Sequence, residues 1–229
     1  MYKLKDRNDL GIIVQARTRS NRLPSKMLLD FQGKTIIEQI LIKLKKCKLV
    51  NKIICAIPEG EDDDILDSVV KRIQGILVFR GSNTDLVKRY LDSSKKYNIE
   101  IIGRFPADNI LPDPELIDQA FEFYCKNKFD FVSNLNNVIS KSGYPDGCGI
   151  EVFSRNSLQN LYLKNCCNKR SLEHVALNFY DYEKGNAINN ICASSPICPK
   201  DKMNSKLILD VNTIDDYIRL SKLIKKVMD

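Results

Sequence analysis

Short apolar runs alternate with helix-length amphipathic segments through the first 134 residues, and no other feature restricts the possible folds as much. Gly11–Gln15, Lys52–Ile57, Ile76–Phe79, Ile99–Gly103 and Phe129–Asn134 have the length and composition of strands. Between them, Lys34–Cys47, Asp62–Gln74, Asn83–Tyr97 and Pro114–Lys126 read as helices. The first opens with Thr35 and Glu38 three apart, a capping box, and then sets Ile36, Ile37, Ile40, Leu41 and Leu44 on one face. The repeated strand–helix–strand order predicts an α/β fold with a mainly parallel sheet. With 229 residues, 43% of them hydrophobic, the chain can bury a full core as one domain.

Beyond residue 134 the rhythm breaks. A Gly/Pro-rich loop, Ser142 to Gly149, leads into a strand at Ile150–Phe153. Helices are expected at Arg155–Cys166 and Ser171–Asp181, then an irregular stretch from Gly185 to Ser205, suited to a subunit contact. A last strand, Lys206–Val211, runs into a helix at Ile214–Val227. The polar first ten residues show no signal peptide, and no apolar run is long enough for a bilayer, so a cytoplasmic protein with no membrane partner is expected. Eight cysteines then read as reduced thiols; Cys166, Cys167, Cys192 and Cys198 are poorly spaced for zinc. The net charge of +7 comes largely from lysines at helical spacing without interleaved aromatics, which argues against a nucleic-acid partner.

Chemistry-bearing residues gather where strands should end, the usual place for ligands in open α/β sheets. The loop after the first strand has no glycine but carries Arg17, Arg19, Arg22 and Lys26. Arginine forks and a lysine charge can hold phosphate as side chains, and the scarcity of nearby carboxylates favours that over a salt-bridged surface turn. Asp108 follows a strand and reads equally as a Mg²⁺ ligand or a loop cap. Asp113, just before Pro114, reads as an N-cap. Asp210 and Asn212 alternate along the last strand, and Asp210 could join Asp108 on one metal. The run Glu61-Asp62-Asp63-Asp64 suits the positive end of a helix better than a metal, because consecutive acids diverge.

The order of these blocks resembles the cytidylyltransferases that make CMP-activated acidic sugars, in particular the spore-coat polysaccharide branch related to CMP-Kdo and CMP-sialate synthetases. Gln15-Ala16-Arg17, Ser20, Arg22-Leu23-Pro24 and Lys26 match the opening signature. Phe79-Arg80-Gly81-Ser82 with Asp85 and Arg89-Tyr90 matches a second block. Arg104, Asp108, Asp113-Pro114-Glu115, Tyr144-Pro145-Asp146-Gly147, Glu151-Val152-Phe153 and Glu173-His174-Val175 continue the series. The resemblance implies a Rossmann-like nucleotidyltransferase fold spanning residues 1–229, with a protruding dimerisation element near 150–200 and a homodimer. It implies catalysis by Arg17, Arg22, Lys26 and Asp108, and nucleotide contacts from Gln15, Ala16, Arg17, Arg22, Lys26, Arg80, Ser82 and Arg104. Tyr144, Asp146, Glu151 and His174 would meet the acceptor, and Asp108 with Asp210 would hold Mg²⁺. The implied reaction is CMP transfer from CTP to an acidic sugar in surface-glycan synthesis. Transfer to a sugar or polyol phosphate, or a non-catalytic nucleotide-binding role, are the alternatives. Two departures stand out: Arg19 replaces the family's usual glycine, and Asn212 replaces a metal carboxylate.

Overall fold

The computed structural model describes residues 7–136, 138, 139, 141–165, 169–188 and 190–228. Its centre is a seven-stranded sheet built on β1 (Leu10–Gln15), which lies parallel between β4 (Lys52–Pro58) and β6 (Ile101–Pro106). β5 (Leu77–Gly81) extends the parallel side beyond β4. On the other side β8 (Glu151–Ser154) runs antiparallel between β6 and β7 (Phe131–Ser133), and β11 (Ala193–Ser194) closes the edge parallel to β7. The sheet is therefore mixed and mostly parallel, as the alternation requires.

Both faces of β1 are covered. Leu10, Ile12, Val14 and Ala16 enter a core with α1 (Ile36–Leu44) and α4 (Pro114–Lys126). Ile13 points the other way, to Val87, Tyr90 and Leu91 of α3 (Leu86–Lys96) and to α5 (Arg155–Asn165). That two-sided burial explains why β1 reads as a continuous apolar run. The caps sit where expected: Thr35 and Glu38 form the box at α1, and Asp113 accepts from Glu115 N–H and Leu116 N–H at α4. A further helix, α2 (Asp64–Lys71), follows β4.

The later segments differ from expectation. Ser171–Asp181 is not one helix. It divides into α6 (Lys169–Glu173), a 3₁₀ turn at Val175–Asn178, and β9 (Tyr180–Asp181), which pairs with β10 (Asn186–Ala187). Phe179 sets the break, because its ring is drawn into a stack with Phe131 and Phe153 at centroid distances of 5.1 and 4.8 Å. Residues 206–211 form no strand of the sheet. They cross its end, bridging Asn109 through Asp210 and Asp146 through Ile208, before α7 (Ile214–Met228). The apolar pattern also gives no sign of a two-strand ribbon, β2 (Asp30–Phe31) with β3 (Lys34–Thr35), turned by Gln32 and Gly33 at positive φ. Cys166 and Cys167 lie outside the described residues. Among the described residues, no helix is long and apolar enough to cross a membrane.

Gly149 marks the tightest packing beside the site. A Cβ there would lie 2.1 Å from the Asn134 carbonyl, and Asn134 cannot retreat: its amide bonds Leu116 O at 2.6 Å and Ile150 N–H at 2.8 Å. Gly149→Ala is expected to destabilise the fold by about 3 kcal/mol, seen as a lower midpoint in a urea melt.

Candidate active site

β1 ends at Gln15, and the loop that follows is fastened to the next strand's exit. Thr18 N–H donates to Asp63 Oδ1 at 2.6 Å, and its hydroxyl donates to the same oxygen at 2.9 Å or to Asp62 O at 3.0 Å. Asp63 is buried, and so is Thr18. The acidic run after β4 thus does more than face a helix end: one member anchors the cationic loop. Ser25 N–H closes the loop on Thr18 O at 2.8 Å, with Ser25 itself left-handed at φ 53°. Pinned at both places, the loop directs its cations into a cleft of about 570 Å³.

The cations take different positions in it. Lys26 is half-buried; its Nζ donates to Val211 O at 2.9 Å and lies 3.8 Å from Asp108 Oδ2. Burial pushes its pKa down, against the pull of Asp108. Arg22 donates to Asn212 Oδ1 at 2.7 Å. Arg19 turns to the rim and pairs with Asp62 at 2.6 Å. Arg17 lines the cleft and has no carboxylate within ion-pair distance among the described residues.

Three carboxylates come together in an acidic wall because residues 207–211 wedge between two loops; of the three, Asp108 lines the cleft. Asp146 N–H donates to Leu207 O and Leu209 N–H to Asp146 O, both at 2.8 Å, while Val211 N–H donates to Asp108 O at 2.8 Å. Asp210 and Asp108 are close enough for each to raise the Asp146 carboxyl, which burial and these charges push up to about 6. Asp210 is likewise raised, by burial first and then by Asp108. Asn212 Nδ2 donates to Asp210, linking Arg22 to this acidic wall. Among the described residues no three metal-binding side chains converge in coordinating geometry. The oxygen-only set suits a hard cation held by one or two carboxylates, with the ligand completing the shell.

Gln15, Ala16, Arg104 and His174 line the same cleft. Burial, with Arg104 nearby, lowers the His174 pKa and favours the neutral imidazole. Four residues expected at the site have their partners elsewhere. Arg80 is turned toward α2: its guanidinium meets Asp64, Asp67 and Gly60 O, because the β4–β5 register, with Ile57 opposite Arg80, sets it beside the start of that helix. Ser82 caps rather than lines, its hydroxyl accepting Asp85 N–H at 3.0 Å. Tyr144 is fully buried and donates to Gln119 Oε1 at 2.7 Å. Glu151 is fully buried behind the wall, holding Arg104 and accepting from Tyr182 OH at 2.7 Å.

Among the cleft residues outside the expected set, Arg89 carries the clearest signal. It lines the cleft and is 4% exposed, yet has no carboxylate partner among the described residues; Nε and Nη2 donate to Ser82 O at 3.0 and 2.6 Å. A buried, unneutralised cation beside Arg17 is a stronger anion signal than Arg80. Helical spacing hides it among solvated lysines, although Arg89-Tyr90 lies in the matched second block.

The anchoring of the loop by Asp63 is directly measurable. Asp63→Ala leaves the buried Thr18 N–H unsatisfied, while the hydroxyl keeps Asp62 O as its acceptor, at a cost of about 2 kcal/mol. Hydrogen exchange should show the Thr18 amide losing protection while β1 and β4 keep theirs.

Comparison with known proteins matches the chain to a family. The cytidylyltransferase family pattern fits residues 11–188. A Methanocaldococcus jannaschii protein, MJ1063, is 35% identical over 213 residues, 92% of this chain and 82% of its own length. The spore coat polysaccharide biosynthesis protein SpsF of Bacillus subtilis is 28% identical over 174 residues, 74% of this chain and 69% of its own. A cytidylyltransferase structure from Leptospira borgpetersenii superposes with a TM-score of 0.82 at 31% identity, covering 96% of this chain and 88% of that one. The chain therefore belongs to the cytidylyltransferase family and is a nucleotidyltransferase.

Proposed function

We propose that the protein transfers CMP from CTP to an acidic sugar, releasing pyrophosphate, as a cytoplasmic homodimer serving surface-glycan synthesis. The observation that carries this reading is the gathering of Arg17, Arg22, Lys26 and Arg89 with Asp108 in one cleft, with Asp146 and Asp210 near Asp108. A nucleoside triphosphate needs cations for its phosphates, and a carboxylate wall needs a cation of its own. The kinship with SpsF supports the glycan pathway.

In the proposed reaction an acceptor hydroxyl attacks the α-phosphorus in line; the new O–P bond forms as the bond to the β-phosphate oxygen breaks. Lys26, held by Val211 O, meets the phosphates from a half-buried position where its charge is weakly screened. Arg17 and Arg22 bind the outer phosphates, and Arg89 supplies a further buried charge. Asp108 and Asp210 would hold Mg²⁺, which supplies charge neutralisation on phosphate oxygens. His174, neutral and near Arg104, faces the acceptor side. Arg104 is already matched by Glu151, whereas Arg17 has no carboxylate partner among the described residues and lines the cleft. The open Arg17 supports, as a second reading, a sugar or polyol phosphate acceptor that reaches it.

Pyrophosphate release should be measured with CTP, UTP, GTP and ATP against a panel of acidic sugars and sugar phosphates. Turnover with CTP and a keto-acid sugar supports the first reading; turnover only with phosphorylated acceptors replaces it with the second. Lys26→Ala is expected to cut turnover by about 100-fold or more while moving stability by about 1 kcal/mol. Normal pyrophosphate release by that variant would remove Lys26 from the chemistry. Asn212→Asp exchanges a donor to Asp210 for a second carboxylate. Its melting temperature should fall without Mg²⁺ and rise more steeply than wild type as Mg²⁺ is added.

A further inference from the structure

Gln15 has a fixed polarity. Its Oε1 lies 3.0 Å from Tyr90 OH and 3.2 Å from Arg104 Nε. Tyrosine could tolerate either end of an amide, since a hydroxyl donates or accepts. Tyr90 also has Ile13 O at 3.2 Å as an alternative acceptor. Arginine has no such freedom: a guanidinium N–H only donates, so the atom beside it must be oxygen. Arg104 in turn is fixed. It donates to Glu151, whose side chain is 1% exposed and whose other oxygen accepts from Tyr182. Turning the Gln15 amide over would set its NH₂ against the guanidinium and leave a buried N–H without an acceptor, at the full desolvation cost of that group.

With the oxygen held inward, the NH₂ is the end left for the cleft that Gln15 lines. It bonds no acceptor among the described residues. We propose that Gln15 is a donor-only specificity residue, whose polarity is locked by the Arg104–Glu151 pair, and which selects ligands presenting a hydrogen-bond acceptor at that point. This rests on the nucleotidyl-transfer reading above and adds a mechanism of selection to it. Two ligand parts carry the required chemistry. Cytosine has adjacent acceptors at N3 and O2, whereas uracil has a donor at N3. An acidic acceptor sugar offers carboxylate or carbonyl oxygens. An ordinary glutamine could rotate to suit either partner; this one is prevented.

Gln15→Glu tests the proposal with almost no change of shape. One carboxylate oxygen keeps the place beside Arg104, and the other turns the cleft-facing donor into an acceptor. Binding of CTP and UTP should be measured by calorimetry for wild type, Gln15→Glu and Gln15→Leu, together with KM for the acceptor that supports turnover. If the nucleobase is read, wild type prefers CTP, and Gln15→Glu shifts the CTP:UTP affinity ratio toward UTP by ~10-fold or more. Gln15→Leu would bring the ratio toward one. If the acceptor sugar is read, the ratio stays fixed while acceptor KM rises ~10-fold in both variants. In wild type the side-chain NH₂ resonance of Gln15 should shift on addition of the ligand that is read. Unchanged nucleotide ratio and unchanged acceptor KM in both variants would overturn the proposal. Failure of wild type to bind any nucleotide would instead defeat the nucleotidyl-transfer reading, and this proposal with it.

Discussion

The crossing of residues 207–211 over the end of the sheet is the constraint on which the site depends. This segment has no sheet ladder of its own, yet its backbone is held on both sides, by the turn at Asp146 and by the loop at Asp108. The two contacts fix three carboxylates from distant parts of the sequence near one another. They also present Val211 O to Lys26, so the cationic loop docks on the same strip of backbone. Gly147, at φ 93°, makes the crossing possible: a Cβ there would lie 3.2 Å from Asp210 N. Fold and chemistry meet in this strip, because the hydrogen bonds that pin it leave the Asp146 and Asp210 carboxyls raised.

Charge separation across the cleft follows from that geometry. A unit pair about 4 Å apart is worth roughly 4 kcal/mol at an effective dielectric of 20. Asp108 at 3.8 Å therefore attracts Lys26 strongly, yet the net shift of Lys26 is downward because its desolvation is larger. The buried ammonium is thus incompletely compensated, and the Asp146 and Asp210 carboxyls near Asp108 are short of positive charge. A triphosphate with its cation relieves both deficits at once. The loop is held at Thr18 by Asp63, and of its cations Lys26 alone lies within ion-pair distance of Asp108, Asp146 or Asp210 among the described residues.

The parallel half of the sheet was legible in the sequence, because β1 and β4 are buried on both faces and so read as unbroken apolar runs. The helix starts were legible as well, since capping is local chemistry: Thr35 with Glu38, and Asp113 before Pro114. Arg17, Arg22, Lys26 and Asp108 could be placed in one cleft from their positions after strands. Arg80 and Arg89 could not be told apart, because the β4–β5 register, a long-range property, assigns Arg80 to α2 and leaves Arg89 to the cleft. Glu151 resists placement for a related reason. The resemblance puts it among the acceptor contacts at the start of the Ile150–Phe153 strand, but its partner Arg104 on the adjacent strand draws it inward.

Asn212 shows how a neutral residue can still organise charges. Its oxygen faces Arg22, which can only donate, so its nitrogen faces Asp210. The amide therefore satisfies a cation and a carboxylate at once without cancelling either. An aspartate at this place would bring a second negative charge beside Asp210 and would neutralise Arg22 directly. With asparagine, Arg22 remains a full positive charge for phosphate, held in position by an interaction that a stronger acceptor can displace. The same donor-only logic fixes Gln15 beside Arg104. In both places an arginine determines which end of an amide is presented, and the amide carries that polarity one step further into the cleft.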